Sequence, residues 1–525
     1  MESREETKKE TQLDELPGLN TTEIQQEQNN QVERKEHNES GPKSTKLLIF
    51  FEILASIGSI MMGMDQFVVS GASLYAQPDL HIDSNLWSWI TSGPLFGAIA
   101  GSVIAIPHNA LFGRRPTFIV SCILYDTGVF MSTFAQSYGV LLAGRLIFGV
   151  GKGLEAMTLP IYLAELVPKS HRGGHLNLFQ TFQMFGDFLG AVISSIFANV
   201  PGTWRYMFGS GFIAPTIQLV GMFFVPESPR WLVQKGRVDA ARNSWKRIRQ
   251  DTMKGRMEFE EMVEKVQEER CNERSFFSIL KEVICNRRTR AMFIFGGLLP
   301  FASLWSGSAA VGYYMSDLFK SLGLTDKKSI YMQLPVEFVN FLSVLPAFYI
   351  LDRFGRRRVM LTLMPISVLA LIMIGLSDLS HSLTTRVVIF VIGFFIYYFS
   401  YNPSFGTLAW VVNGELFESH TRNLGMASCA FWIFGNAAIS TYTFSRQIDA
   451  YGTIGAFGVF AAIVFVFWLI FLFVFVDTSK LSLEDVKERF EGGMRAIIRR
   501  NTREMVAHIR RFGEKWGCGI QSTLS

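Results

Sequence analysis

The chain has 525 residues, 49% hydrophobic and only 18% charged, with a formal net charge of +5. Ordinary soluble proteins are about 25% charged, and here the charges crowd into the two ends, so the middle is more apolar than the mean. Forty-seven Phe against 17 Pro and 5 Cys exclude a collagen-like, disordered or disulfide-stapled chain, and the cysteines show no metal-ligand spacing. The basic residues flank apolar stretches instead of forming one face, which argues against a nucleic-acid partner.

Residues 1–45 are polar and lack the apolar core of a secretory signal, so they read as a disordered cytosolic tail. Asn20 and Asn38 head glycosylation patterns, but on that side of a membrane neither is expected to be used. From Leu47 the chain alternates apolar stretches of about 20 residues with short polar connections, the length that crosses a hydrocarbon core of about 30 Å as a helix. Twelve stretches are expected at 46–74, 87–109, 115–135, 138–163, 175–199, 205–225, 291–318, 329–351, 357–377, 385–413, 424–446 and 452–476. The chain thus divides into an N-terminal six-helix half (46–225), a charged helical linker (226–290), a C-terminal six-helix half (291–476) and a tail (477–525). Arg114-Arg115, Lys169 with Arg172, and the Arg353 to Arg358 cluster fall on one side, against three lysines in the 319–328 loop on the other. The positive-inside rule therefore puts both termini in the cytosol. In the tail, the basic stretch Met494 to Arg511 reads as a solvated helix in preference to one lying on an anionic membrane.

Local patterns recur about 250 residues apart. Phe112-Gly-Arg-Arg115 returns as Phe354-Gly-Arg-Arg357, and Glu165 with Arg172 returns as Glu415 with Arg422. Pro226-Glu-Ser after the sixth stretch has its counterpart in Val476-Asp-Thr after the twelfth. A duplicated six-helix unit with basic turns is the layout of major facilitator transporters, whose solute site lies near the membrane midplane between the halves. The expected fold is an all-α membrane protein of twelve transmembrane helices in two six-helix halves.

More specific motifs follow. Gly144-Arg145 through Gly153, then Pro160-Ile-Tyr162 through Arg172-Gly173, resembles the signature of the sugar porter family over its fourth and fifth helices. Pro226-Glu-Ser-Pro-Arg230-Trp-Leu232, Gly63-Met64-Asp65 with Ser70-Gly71, and Asp352-Arg-Phe-Gly-Arg-Arg357 resemble further motifs of that family. The resemblance covers about residues 46–490 and implies a carrier of sugars or polyols, working as a uniporter or a proton symporter. The expected partners are that solute, protons if it is a symporter, and the bilayer. The expected state is a monomer in the plasma membrane, with no cofactor and no metal. The chain departs from the family at Ala110, at Val476-Asp-Thr-Ser-Lys480, and in the seventh helix. There Ser303-Leu-Trp-Ser-Gly307-Ser-Ala309 stands where the family has three amides that grip sugar hydroxyls.

By the same resemblance Gln180, Asn340, Trp410 and Tyr313 occupy substrate-binding positions, with helix packing as the competing role of each. Asp187, two helical turns after Gln180, is expected to join them as a substrate-binding or protonatable carboxylate, with a buried acid hydrogen-bonded to its neighbours as the competing role. Charged groups inside spans usually face a cavity or a partner. Asp65 and Arg145 match the acid–arginine pair of the family's proton symporters, although its facilitators can also keep the acid. Lys152 and Glu155, three apart on one helix, are expected to pair with each other. Glu337 is one turn from Asn340 and can share its cavity, and Asp126 is assigned a structural role. By the same resemblance Arg115, Glu165, Arg172, Arg356, Arg357, Glu415 and Arg422 are expected to form a cytosolic gate of inter-helix ion pairs, with positive-inside charge alone as the competing role. Gly149-Val-Gly-Lys-Gly153 resembles a phosphate loop, but no Ser or Thr follows the lysine. No catalytic constellation stands out, so an enzyme is not expected. A carrier of charged solutes and a non-transporting nutrient sensor are the alternatives.

Overall fold

The structure is a computed structural model that describes residues 46–166, 172–248, 253–271, 276–417, 421–478 and 488–515. Asn20 and Asn38 lie outside these residues. The described residues are helical, with no β-strand. Spans 1 to 5 are single helices at Lys46–Asp79, Ser84–Phe112, Arg114–Thr133, Tyr138–Leu166 and Arg172–Phe197. Span 6 joins Thr203–Gly209 to Ile213–Met222 through one 3₁₀ turn, Ser210–Phe212. Span 7 is broken into Arg287–Leu304 and Ser308–Ser321, and span 8 runs in three pieces, Asp326–Tyr331, Gln333–Val344 and Ala347–Phe354. Span 9 is Arg356–Leu376, and span 10 joins Leu383–Tyr401 to Thr407–Leu416 through a π-helical turn, Asn402–Gly406. One 53-residue element, Arg422–Val474, contains spans 11 and 12, which part at Gly452 with φ +65°.

The twelve expected stretches all fall on these rods. Seven helices among the described residues are long and apolar enough to cross a membrane by length and composition alone, and the last of them, Leu424–Val474, holds two spans. Large apolar side chains such as Leu111, Phe130, Ile217, Phe223, Leu369, Phe465 and Val466 are exposed. An apolar outer belt of this extent is what a bilayer covers.

Local sequence sets the turns. Asp83 caps span 2 by accepting the N–H of Leu86 at 2.8 Å. The repeated Phe-Gly-Arg-Arg motif makes the same turn in both halves, with Gly113 at φ +99° and Gly355 at φ +81°. Only glycine enters that region freely. The linker carries helices Pro229–Gln234, Val238–Ile248, Met253–Cys271 and Phe276–Cys285 with a small core of its own around Trp231, Ala241, Phe259 and Val266. A last helix, Gly493–Lys515, docks on the face where span 12 ends. The start of span 1, the ends of spans 6 and 12, the linker helices and the basic turns share this face, called the terminal face below.

Spans 2 and 4 pack backbone to backbone. A Cβ on Gly149 would strike the carbonyl of Pro94, and one on Gly153 the carbonyl of Ala98. The glycines that mimic a phosphate loop therefore exist for close helix approach. Gly149→Val is expected to lower the thermal midpoint of the detergent-purified protein, since overpacking a tight contact costs about 1–3 kcal/mol. An unchanged midpoint would show that the spans can separate at no cost.

Candidate functional site

A buried acid–arginine pair lies between spans 1, 4 and 7. Arg145 of span 4 grips Asp65 of span 1 with both guanidinium nitrogens, at 2.5 and 2.9 Å, and each side chain is only 2% exposed. The Nε of Arg145 donates to the Ile90 carbonyl at 3.3 Å, and Tyr313, in the second piece of span 7, donates its hydroxyl to Asp65 at 3.3 Å. The expected pair thus forms, and one tyrosine from the other half of the molecule holds it.

Lys152 and Glu155 do not pair with each other, contrary to expectation. Lys152 donates to the Met62 carbonyl at 3.3 Å, while Glu155 accepts from Gln218 of span 6 at 2.9 Å. Their spacing allows contact on an isolated helix, but span 4 is packed on several sides, and each side chain is claimed by a different neighbour. Asp126 accepts from Thr216 of span 6 at 3.4 Å, in keeping with a structural role.

Asp187 of span 5 faces spans 8 and 10. Asn340 extends its amide N–H₂ to Glu337 at 2.8 Å and to Asp187 at 3.5 Å, and Tyr398 donates to the other oxygen of Glu337 at 3.1 Å. Asn402, in the π turn of span 10, donates to the Asn340 side-chain carbonyl at 2.9 Å and to Ser343 at 2.6 Å. Asp187 Oδ1 is buried with no hydrogen-bond partner. Gln180 is buried on the same span and makes no hydrogen bond to a described residue, while Trp410 meets Phe179 edge to face at 5.4 Å between spans 10 and 5. The structure therefore gathers Asp187, Asn340 and Glu337 into one network. Gln180 and Trp410 border the same interface between the halves.

The break in span 7 is the part that sequence reasoning left empty. Gly307, at φ +88°, interrupts the helix. The Ser303 and Tyr401 hydroxyls lie 3.0 Å apart, Tyr401 donates to Ser308 at 2.9 Å, and Ser306 and Tyr397 lie 2.8 Å apart. Trp305 donates to Asn436 of span 11 at 3.0 Å. Serines and the Tyr397 and Tyr401 hydroxyls of span 10 thus fill the place of the missing amides. The Tyr-Tyr-x-x-Tyr spacing, one helical face in a span, was the signal available in the sequence.

The two halves also meet at the face opposite the termini. Ser73 donates to Asp317 at 3.0 Å, Ser70 and Gln333 both bond Ser316, and Tyr314 reaches Ser88 and Thr91 at 3.1 Å each. Trp89 packs on Tyr442 at 4.7 Å, and Asn199 donates to Tyr331 at 2.6 Å.

At the terminal face Glu165 is paired, but with Arg114, at 2.6 Å. Arg115 instead donates to the carbonyls of Met222 and Phe223 at 2.8 and 2.9 Å, closing the end of span 6. Arg357 does the same for span 12, donating to the Leu472 carbonyl at 3.1 Å, and it also pairs with Glu504 at 2.9 Å. Arg356 donates to Thr478 at 2.7 Å. Glu227 accepts the N–H groups of Ser228, Arg114 and Arg115 at 2.8 to 3.2 Å. Burial pushes its carboxyl above the usual range, and those donors pull it partly back. The side chains of Arg172, Glu415 and Arg422 lie outside the described residues. Among the described residues no group of three or more His, Cys, Asp or Glu is placed to hold a metal ion.

The family model described as "Sugar (and other) transporter" matches residues 44–490. The chain belongs to that family. It is a multi-pass membrane transporter of the major facilitator fold and not an enzyme. It is 33% identical to the myo-inositol transporter FST1 of Gibberella moniliformis over 94% of this chain and 85% of that one. It is 28% identical to the galactose-proton symporter of Escherichia coli K12 over 89% and 98% of the two chains. The solved structure of the proton:xylose symporter XylE bound to 6-bromo-6-deoxy-D-glucose superposes with a TM-score of 0.71 at 19% identity, covering 85% of this chain and 100% of that one. At that identity the likeness speaks for the fold.

Asn340→Ala is expected to destabilise the purified transporter more than Gln180→Ala. The first removes the donor shared by two buried carboxylates, a loss of about 1–3 kcal/mol, whereas the Gln180 amide holds no such bond. Equal thermal midpoints for the two variants would refute the network's importance.

Proposed function

We propose that the transporter carries a sugar or, by preference, a cyclic polyol between its two halves, and that Asp65 couples this movement to protons. The observation that carries the reading is the Tyr313–Asp65 bond. It ties the second piece of span 7, which follows the break at Gly307, to the acid–arginine pair across the interface between the halves. Proton entry at Asp65 neutralises the carboxylate, which loosens Arg145 and weakens the acceptor for Tyr313. The second piece of span 7 is then free to move against span 1. Breaking and remaking such a buried link biases a two-state equilibrium, because its free energy differs between the two states.

Solute recognition falls to Asp187, Gln180, Asn340, Trp410 and the tyrosine hydroxyls of span 10. The unpartnered oxygen of Asp187 accepts a solute hydroxyl, the Gln180 amide is free to bond another, and the Trp410 ring covers an apolar ring face. Strong acceptors with hydroxyl partners suit a ring that bears hydroxyls all round. The myo-inositol transporter at 33% identity supports this preference. The proton-coupled galactose relative supports the coupling. The six-helix halves 46–225 and 291–476 are the rocking bodies, joined by the linker 226–290. The bonds across the face opposite the termini then close the external side. The arginine-rich terminal face is cytosolic, in the plasma membrane, and the transporter works as a monomer. Arg114–Glu165 and the Arg115 and Arg357 contacts belong to the inner gate, with Arg172, Glu415 and Arg422 as further members.

Purified protein in liposomes, given an inward proton gradient, is expected to accumulate labelled myo-inositol above equilibrium and to lose that accumulation with a proton ionophore. Uptake that only equilibrates would remove the coupling, and failure across inositol, hexoses, pentoses and linear polyols would remove the substrate assignment. Asp65→Asn should abolish accumulation while leaving exchange. Tyr313→Phe should lower the accumulation ratio by up to about tenfold, the worth of one hydrogen bond, because span 7 no longer senses the charge on Asp65. Accumulation by Asp65→Asn at the unmodified level would refute the mechanism.

A further inference from the structure

The terminal helix Gly493–Lys515 is seated on the bundle by one face. Ile497 is buried, and buried Asn501 donates to the carbonyls of Phe473 and Phe475 at 2.8 and 3.1 Å. Gly492 and Gly493, both at positive φ, turn the chain into this helix, and the backbone at Gly493 passes close against Arg287, the first residue of span 7. Beside the seated face lies an open groove of about 590 Å³ lined by exposed Arg287, Arg495, Arg499 and Arg503, with half-buried Arg500 and with Glu504. Glu504, the acid among its described lining residues, is already engaged by Arg357 at 2.9 Å.

Five guanidinium groups therefore line one groove, with no free carboxylate among its described lining residues. Arg287, Arg495, Arg499 and Arg503 make no ion pair or hydrogen bond with a described residue, while Arg500 spends one nitrogen on the Arg489 carbonyl at 3.3 Å and leaves its buried Nε unpartnered. Arg495, Arg499 and Arg503 recur every fourth residue, so like charges stack along one helix face, an arrangement that repels itself without a counter-ion. Burial also lowers the Arg500 pKa, with the neighbouring Arg489 charge acting in the same direction. None of these groups takes part in the transport path described above.

The geometry points to an anion-binding site in which these arginines clasp a phosphate-bearing headgroup between the terminal helix and the start of span 7. Phosphomonoesters are the fitting class, because each carries up to two charges and presents oxygens that the planar guanidinium fork bonds in pairs. Arg287 opens a membrane span, so the groove lies at the level of the bilayer surface, within reach of an anionic lipid headgroup. A soluble inositol phosphate offers the same chemistry. The occupant pins the terminal helix to spans 7 and 12 and so restrains the end of the C-terminal half.

The test uses the full chain, purified in detergent at physiological salt, with two probes: short-chain phosphatidylinositol 4,5-bisphosphate and soluble inositol 1,4,5-trisphosphate. Saturable binding of one probe molecule per chain is expected. The triple variant R495Q/R499Q/R503Q should weaken it at least about tenfold, since charge-assisted bonds are lost. R495K/R499K/R503K keeps the charge without the fork and should fall between the two. K327Q/K328Q, in the lysine loop at the opposite face, should bind like the unmodified chain. Tighter binding of the lipid than of the soluble probe assigns the site to the membrane, and equal binding assigns it to the headgroup alone. Absence of saturable binding to both probes, or unchanged binding by a monodisperse glutamine variant, would overturn the site.

Discussion

Asp65 and Arg145 sit where neither can be solvated, and the architecture around them follows from that constraint. A charge removed from water persists only when another group compensates it, and breaking one buried pair by deleting a partner typically costs about 3–5 kcal/mol. Here the compensation is geometric as well as electrostatic. Span 4 must bring Arg145 within 2.9 Å of span 1, and the close glycine packing of spans 2 and 4 fixes where span 4 can lie. Tyr313 then extends the link into the other half. The buried pair belongs to the N-terminal half, and it is the Tyr313 hydroxyl that joins it to the C-terminal half.

A second acidic centre has a different construction. Asp187 and Glu337 approach the same amide from opposite halves, and their neighbours are Asn340, Asn402 and Tyr398. Lys152 of span 4 lies buried nearby and spends its hydrogen bond on the Met62 carbonyl. The polar interior is therefore two linked clusters around the interface, one clamped by arginine and one held by amides and phenols.

The duplication of the chain survives as paired contacts at the terminal face. Arg115 closes the end of span 6, and Arg357 closes the end of span 12, each by donating to the last helical carbonyls. Such capping satisfies groups that a helix end leaves open and places cations where the helix dipole favours them. The adjacent arginines have diverged: Arg114 pairs with Glu165, whereas Arg356 bonds Thr478.

Much of this was legible in the residue order. The length of apolar runs gave twelve spans because a bilayer imposes that length on any helix crossing it. The repeats at about 250 residues gave the two halves, and the motifs gave the family and named Asp65 with Arg145, a pair the structure joins. What the order of residues left open was partnership. A span shows which residues share a face, but not how far the helix is rotated or which neighbour, hundreds of residues away, meets that face. For that reason Lys152 and Glu155 looked like partners and are not, Arg114 and not Arg115 holds Glu165, and Asn340 is bound within a network. The tyrosines of span 10 that occupy the place of the missing amides belong to the same class. Local chemistry determined the spans and their turns; the packing of helices decided which charges and hydroxyls meet, because those distances exist only once the bundle is assembled.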